Sequence, residues 1–335
     1  MHTTREQVLR QLQRHPGEFI SGGTLSTALG LTRAAVWKAV EALRAEGWPI
    51  EAVSRRGYRL AEPEGGFLTE EGLRQQLDGC WIGRQLILLP EVDSTNAHAK
   101  RLAAGLEEGA VIAADRQTAG RGRLQRQFYS PEREGVYFSV LLRPRLHLRE
   151  LSVMAMCSAV SAAEAVEELT GLRPEIKWPN DLLWQGRKLC GILSESSVES
   201  ETGRVQELII GIGMNVNNLS FPPELEGKAV SLRQMCGKVI PRAAVIGAVL
   251  RRLSQWLEPG GAPAGRQQLA AAYRREVGCI GRQVALSYPD RQMTGRVLGV
   301  DDAGGLVLRL EDGRTETVFS GELRILSEAE GTENQ

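Results

Sequence analysis

The chain has 335 residues, 42% hydrophobic and 24% charged, with 41 Lys+Arg against 41 Asp+Glu. This composition excludes global disorder and fits two or three packed domains, and zero net charge means that any nucleic-acid site is local. The cysteines (80, 157, 190, 236, 279) and histidines (2, 15, 98, 147) are scattered without Cys-x-x-Cys, which predicts free thiols in a reducing, cytoplasmic compartment and no His/Cys zinc site.

The opening Met1-His2-Thr3-Thr4-Arg5 leads into a polar helix rather than an apolar signal region. No apolar run approaches the ~20 residues of a membrane span, so no membrane association is expected. Val8, Leu9 and Leu12 give residues 5–14 the spacing of a short amphipathic helix. Thr24 is placed to cap a second helix ended by Gly30, and Thr32 a third that runs to about Ala45 and stops at Gly47. Ile50–Val53 and Gly57–Leu60 read as a hairpin with Ser54-Arg55-Arg56 at its tip. Two helices around a glycine turn followed by a hairpin make a winged helix-turn-helix over residues 1–62. Residues 1–60 carry nine Lys/Arg against five Glu, a net charge of +4, so the remainder is net −4. That asymmetry points to DNA, with Thr32, Arg33 and Lys38 on the groove-entering helix and Arg55 and Arg56 holding phosphates. A protein-interaction module is the bland alternative.

Ala61–Gly66 is a polar, Pro/Gly-containing linker. Residues 67–270 mix strands (86–89, 110–114, 136–142, 192–195, 208–212) with helices (95–104, 149–169, 241–257). From Cys279 the pattern turns to short strands (284–287, 294–300, 306–310, 316–319) with Asp/Gly turns, a small β-barrel within 276–327. Residues 328–335 are polar and expected to fray.

The middle segment lacks Gly-x-x-x-x-Gly-Lys-[Ser/Thr], Gly-x-Ser-x-Gly and His-Glu-x-x-His. Gly120-x-Gly122-x-x-Gln125 misses the dinucleotide fingerprint at its third glycine. What stands out is Lys177-Trp178-Pro179-Asn180-Asp181, read as a stiff turn, then Arg187-Lys188-Leu189-Cys190-Gly191, and upstream Gly120-Arg121-Gly122-Arg123. Glycines let backbone approach a ligand, and arginines close over phosphate or carboxylate. Two basic clusters and one carboxylate suit a reaction that joins two anions over a metal ion.

With Asp93-Ser94-Thr95-Asn96, Gln117-Thr118-Ala119-Gly120-Arg121-Gly122-Arg123, the Lys177 and Arg187 runs, and Gly211-Ile212-Gly213-Met214-Asn215-Val216-Asn217, the chain resembles the bacterial biotin protein ligases that carry an N-terminal DNA-binding domain, the BirA type. The resemblance spans almost the whole chain. It implies an α+β protein: a winged helix-turn-helix, a central mixed sheet with helices related to class II aminoacyl-tRNA synthetases, and an SH3-like C-terminal barrel. It implies a ligase that converts biotin and MgATP to biotinyl-5′-AMP and passes biotin to a lysine of the biotin carboxyl carrier protein. It also implies a repressor that dimerises with biotinyl-AMP bound and grips operator DNA of biotin genes.

Carried over position by position, Lys188 bridges the biotin carboxyl and α-phosphate, and Asp181 lies beside Mg2+ and the attacking lysine. Arg121, Gly122 and Arg123 belong to the loop over biotin and adenylate, and Gly191 also lies against biotin. Ser94, Thr95 and Gln117 meet the biotin head. Asn96 either joins them or caps the following helix. Lys177, Asn180 and Asn215 lie on the nucleotide side with Arg123. Trp178 and Pro179 are read as scaffold and Cys190 as packing. Leu124-Gln125-Arg126-Gln127-Phe128 departs from the family, which commonly has a basic residue, Gly and Arg, then Trp. The resemblance leaves three alternatives: a ligand-sensing transcription factor without ligase activity, a lipoate ligase-like acyltransferase, and a ligase whose first domain no longer binds DNA.

Overall fold

The computed structural model describes residues 3–326 apart from 124, 125, 262, 289 and 290. The tail expected to fray, residue 327, and Leu124 and Gln125 of the altered stretch lie outside the described residues. The chain divides into two compact units, residues 1–69 and 70–335.

In the first unit, α1 (Thr4–Gln13) opens on a capping box between Thr3 and Glu6. Next come α2 (Gly22–Leu29), α3 (Arg33–Ala45) and the antiparallel pair β1 (Ile50–Val53) and β2 (Gly57–Leu60). Ile20 bridges to Tyr58 and widens the ribbon. Leu12, Leu25, Val36, Val40, Ile50 and Leu60 close one core, against which Phe67 also packs. The cap of α2 differs from expectation. Ser21, not Thr24, is the N-cap and accepts the Thr24 amide at 3.0 Å, because the helix starts at Gly22 and Thr24 already lies in its first turn. Ser21→Ala is therefore expected to destabilise this unit by ~1 kcal/mol in thermal or urea unfolding, and Thr24→Ala by less than half of that. Equal losses would contradict the assignment.

The second unit begins with α4 (Glu70–Gln76), β3 (Leu86–Val92), α5 (Thr95–Leu102), β4 (Val111–Gln117) and β5 (Gly135–Leu142). The long α6 (Leu151–Thr170) follows, then β6 (Glu175–Lys177), β7 (Asp181–Trp184), β8 (Arg187–Val198) and β9 (Val205–Asn215). After these come α7 (Leu232–Cys236), α8 (Arg242–Trp256) and α9 (Arg266–Glu276). The seven strands form one mixed sheet in the order β3-β4-β5-β9-β8-β7-β6, in which only β3 and β4 run parallel. Every residue of β5 is buried, so both faces are covered, since successive side chains alternate. Ala99 and Ala103 reach Ile112, Leu141 and Ile209 from the α5 side, while α6 and α8 pack on each other and on the sheet.

Five antiparallel strands close the chain: β10 (Gln283–Ser287), β11 (Gln292–Val300), β12 (Leu306–Leu310), β13 (Thr315–Val318) and β14 (Glu322–Ile325), in the order β13-β12-β11-β10-β14. The sequence reading lacks α4, β6, β7, α7, α9 and β14. The strands β6 and β7 flank the Trp-Pro-Asn turn, whose proline and charges mask the pairing on either side. No helix among the described residues is long and apolar enough to cross a membrane.

Candidate active site

The lysine-rich run is a hairpin rather than a lone turn. Lys177 ends β6, Trp178, Pro179 and Asn180 turn through a cis Trp178–Pro179 bond, and Asp181 starts β7 opposite Lys177. Gln185 and Gly186, at φ 50° and 75°, then return the chain into β8. Leu182 pairs Cys190 and Leu183 pairs Lys188, so Leu189 is an extra, bulged residue. The bulge matters because it lets Lys188 share a face with Gly191, three positions on. The Lys188 Nζ donates to Asp181 Oδ2 at 2.8 Å. Its backbone is held as firmly: the Lys188 amide donates to Lys228 O at 2.7 Å, and its carbonyl accepts the Val230 amide at 3.0 Å and Asn215 Nδ2 at 3.3 Å. The turn is anchored from outside by Tyr273 Oη to Pro179 O (2.8 Å) and Trp178 Nε1 to Gly304 O (3.1 Å). Trp178 is buried, and it also forms part of the lining of the cleft described below.

Beside Lys188 the sheet has a glycine floor. Gly191 pairs with Gly213 across β8 and β9, and Phe128 lies above both. A Cβ on Gly213 would come within 2.7 Å of that ring. The backbone of the Arg-Gly loop folds on itself: Phe128 N to Gly120 O is 3.0 Å and Gly122 N to Arg126 O is 2.7 Å. Arg123 donates to Asn180 Oδ1 at 3.2 Å and to Gly321 O at 3.3 Å, which ties the loop to the turn and to the entry of β14. Arg126 pairs with Glu322 at 2.7 Å. Arg121 is exposed at the rim.

On the far side of the floor, Ser94 caps α5, so Asn96 is free of the capping role. Gln117 Oε1 accepts the Thr95 amide at 2.9 Å and lies 3.2 Å from Thr95 Oγ1. Its Nε2 donates to Ser130 Oγ at 3.0 Å. Buried Ser139 of β5 lies 2.8 Å from Thr95 Oγ1 and 2.6 Å from Asn96 Oδ1, and Asn96 Nδ2 donates to Glu195 at 2.8 Å. The bidentate Arg101–Asp93 pair steadies the preceding turn, and the Arg101 guanidinium holds the Asp93 carboxyl well below the usual carboxylate range.

All the catalytic-centre candidates line one cleft of ≈ 400 Å³: Ser94, Thr95, Asn96, Gln117, Arg121, Gly122, Arg123, Lys177, Asn180, Asp181, Lys188, Gly191 and Asn215. Among the described residues Lys177 has no ion-pair partner. Cys190 is fully buried and burial pushes its thiol up, so it packs. The sequence reading missed Ser130, Ser139, Glu195, Gly321 and Glu322. The two serines carry no motif, and Gly321 and Glu322 belong to a sheet that sequence alone kept apart from the site. No group of three or more His, Cys, Asp or Glu side chains among the described residues is placed to hold a metal. With Asp181 in the cleft, that donor set fits a Mg2+ carried chiefly by phosphate oxygens.

The first unit has its own candidate surface. Thr32 Oγ1 caps α3 by accepting the Ala35 amide at 3.2 Å, and Arg33 and Lys38 are exposed along the helix. Arg55 takes φ 67° at the hairpin tip, and Arg56 lies 4.1 Å over the Phe19 ring. Arg44 is engaged with Glu41 at 2.9 Å. Trp37, one turn after Arg33 and 58% exposed, adds an aromatic face that the sequence reading did not single out.

Comparison with known proteins places both units in known domain families. Residues 88–215 match the biotin/lipoate A/B protein ligase family, 4–59 an HTH domain and 279–323 the biotin protein ligase C-terminal domain. The bifunctional ligase/repressor BirA of Bacillus subtilis is 38% identical over 96% of this chain and 99% of its own. The Escherichia coli protein of the same name is 30% identical over 93% and 94%. A biotin protein ligase from Aquifex aeolicus, solved with biotin and ATP, superposes with a TM-score of 0.60 at 32% identity, over 72% of this chain and 100% of that one. With this coverage, a helix-turn-helix ahead of the ligase sheet and an antiparallel sheet behind it, the chain belongs to the BirA-type family of biotin protein ligases.

Proposed function

We propose that this chain joins biotin to ATP as biotinyl-5′-AMP, releasing pyrophosphate. It then transfers the acyl group to a lysine of the biotin carboxyl carrier protein of acetyl-CoA carboxylase. The observation that carries the reading is the Lys188 ammonium 2.8 Å from Asp181 in a cleft that Arg123 enters. Bringing a carboxylate to a triphosphate costs several kcal/mol of repulsion in a cleft of reduced dielectric. Fixed cations offset that cost without reorganising. Lys188 serves the carboxylate and α-phosphate oxygens. Arg121 and Arg123, with Gly122, close the loop over the adenylate. Ser94, Thr95, Gln117 and Gly191 frame the biotin head, with Asn96 behind them, while Lys177, Asn180 and Asn215 serve the nucleotide. Mg2+, held by phosphate oxygens with Asp181 near, would neutralise triphosphate charge. Asp181, already bonded to an ammonium, is placed to orient the incoming carrier lysine in the same way.

The working parts are taken as 1–62 for DNA, 67–270 for adenylation and 276–327 for the closing sheet. The protein acts in the cytoplasm. With biotinyl-AMP bound it forms a homodimer that represses biotin synthesis and transport genes, so one ligand links carrier modification to transcription. Biotin-dependent ATP–pyrophosphate exchange tests the ligase reading, and its complete absence would leave only a ligand sensor. Titration with lipoate beside biotin separates the two acyl substrates. For the DNA module, Arg55→Ala with Arg56→Ala is expected to flatten the salt dependence of operator binding by roughly two units, about one per phosphate contact. Gel shifts with biotin and ATP across a salt series measure it, and an unchanged slope removes the wing from the interface.

A further inference from the structure

The wing of the first unit is built onto the start of α2. Ile20 N donates to Tyr58 O at 2.8 Å and Tyr58 N to Ile20 O at 2.9 Å, so the backbone at Ile20 runs alongside β2. Only glycine at position 57 permits this approach: its φ is 102°, and a Cβ there would run into the Ile20 carbonyl. Ser21, the next residue, caps α2. Phe19 therefore stands where the wing meets the helix cap. It is half-buried and lies outside the core that Leu12, Leu25 and Leu60 close.

Two wing guanidiniums lie over its ring, Arg56 at 4.1 Å and Arg59 at 4.7 Å from the centroid. They are not equivalent. Arg59 pairs across the hairpin with Glu51, its Nε donating to Oε2 at 3.0 Å. That carboxylate neutralises Arg59 and offsets the repulsion between two cations on one ring. Arg56 is exposed, and no carboxylate among the described residues pairs with it. Contact through the ring leaves its N–H fork free, and that fork is what grips phosphate oxygens in pairs. A flexible arginine loses rotamer entropy when it takes hold of a phosphate, and the ring restricts Arg56 beforehand.

We infer that Phe19 is a positioning residue for DNA: it holds the Arg56 guanidinium ready for one backbone phosphate, while Arg59, neutralised by Glu51, makes no phosphate contact. The inference rests on the DNA reading of this unit and deepens it.

Fluorescence-anisotropy titration of a labelled, mixed-sequence B-DNA duplex with the full chain, biotin and ATP, across a salt series, tests the proposal, because such binding is carried by phosphate contacts. Arg56→Ala should flatten the salt slope by about one unit. Phe19→Ala should weaken binding about three- to tenfold yet keep the slope, since Arg56 still reaches its phosphate and loses only its preparation. In the Arg56→Ala background the same change should weaken binding by less than ~2-fold, because the partner through which the ring acts is gone. Phe19→Tyr keeps the ring and should bind as the wild type does. Phe19→Leu keeps bulk without the ring and should behave as Phe19→Ala, whose place it takes if that variant fails to fold. The paired change Glu51→Gln with Arg59→Gln, which leaves net charge unaltered, should not move the slope. Equal losses from Phe19→Ala with and without Arg56 would make the ring a structural support and overturn the inference. A one-unit flattening in the paired variant would overturn it too. A wild type that binds no duplex would overturn the DNA reading itself, and the inference with it.

Discussion

Replacing Lys188 with alanine is expected to slow biotin-dependent ATP–pyrophosphate exchange by at least ~10²-fold, the usual cost of losing one fixed charge-stabilising donor. That factor corresponds to about 2.7 kcal/mol of the barrier. The expectation follows from how rigidly the ammonium is delivered. Its strand is bonded on both sides, to Lys228 and to Val230, and a bulge turns the side chain toward Asp181. Such a group pays little reorganisation when negative charge gathers between the biotin carboxyl and the α-phosphate. The loss should fall on kcat more than on biotin affinity, because in the role proposed for Lys188 the charge it meets is largest in the transition state. Lys188→Arg should recover little, since a planar guanidinium on a longer stem cannot occupy the point position of an ammonium. Exchange within a few-fold of wild type in Lys188→Ala would remove Lys188 from the chemistry.

The parts of the site that sequence made legible are those in which charge or glycine recurs at close spacing. Lys188 and Asp181 lie seven positions apart, and Gly120 to Arg123 is contiguous, so both clusters could be read before any contact was known. How they meet could not. The hairpin around Pro179 was masked by its own turn residues, and the bulge at Leu189 has no sequence signature. Ser139 reads as one polar residue in an otherwise apolar strand, Gly135–Leu142; only the alternation of a buried strand places its hydroxyl behind Thr95. Gly321 and Glu322 are nearly two hundred positions from Arg123 and Arg126, and β14 was too short and mixed in pattern to be marked as a strand. The winged module was legible almost residue by residue because caps and turns are local chemistry. Its one error, Thr24 for Ser21, came from choosing between two hydroxyl residues three positions apart.

Arg123→Gly is expected to release the adenylate. Among the described residues of the loop, Arg123 is the one side chain bonded both to the Asn180 turn, at 3.2 Å, and to the Gly321 carbonyl at the entry to β14, at 3.3 Å. Losing it removes two charge-assisted bonds at once and inserts a residue with far more backbone freedom beside Gly122. Each such bond contributes about 1.5–3 kcal/mol, so losing the two together should accelerate loop opening and adenylate escape by at least ~10²-fold. Adenylation itself should survive better than in Lys188→Ala, because Lys188 and its strand are untouched. The two variants therefore separate chemistry from retention: one makes little biotinyl-AMP, the other makes it and loses it. Mass spectrometry after gel filtration should find retained biotinyl-AMP in the wild type and little in Arg123→Gly. A bystander protein rich in lysine should become biotinylated only with the latter, since free adenylate acylates amines without a carrier-docking step. Arg126→Ala gives the needed contrast. It removes the exposed pair with Glu322 but leaves both Arg123 bonds, and exposed pairs contribute less than ~1 kcal/mol, so retention should fall only a few-fold. Equal retention in Arg123→Gly and wild type would show that the clamp lies elsewhere in the loop. Equal losses in Arg123→Gly and Arg126→Ala would instead make the closing contact with the C-terminal sheet, rather than the Asn180 turn, the element that holds the adenylate.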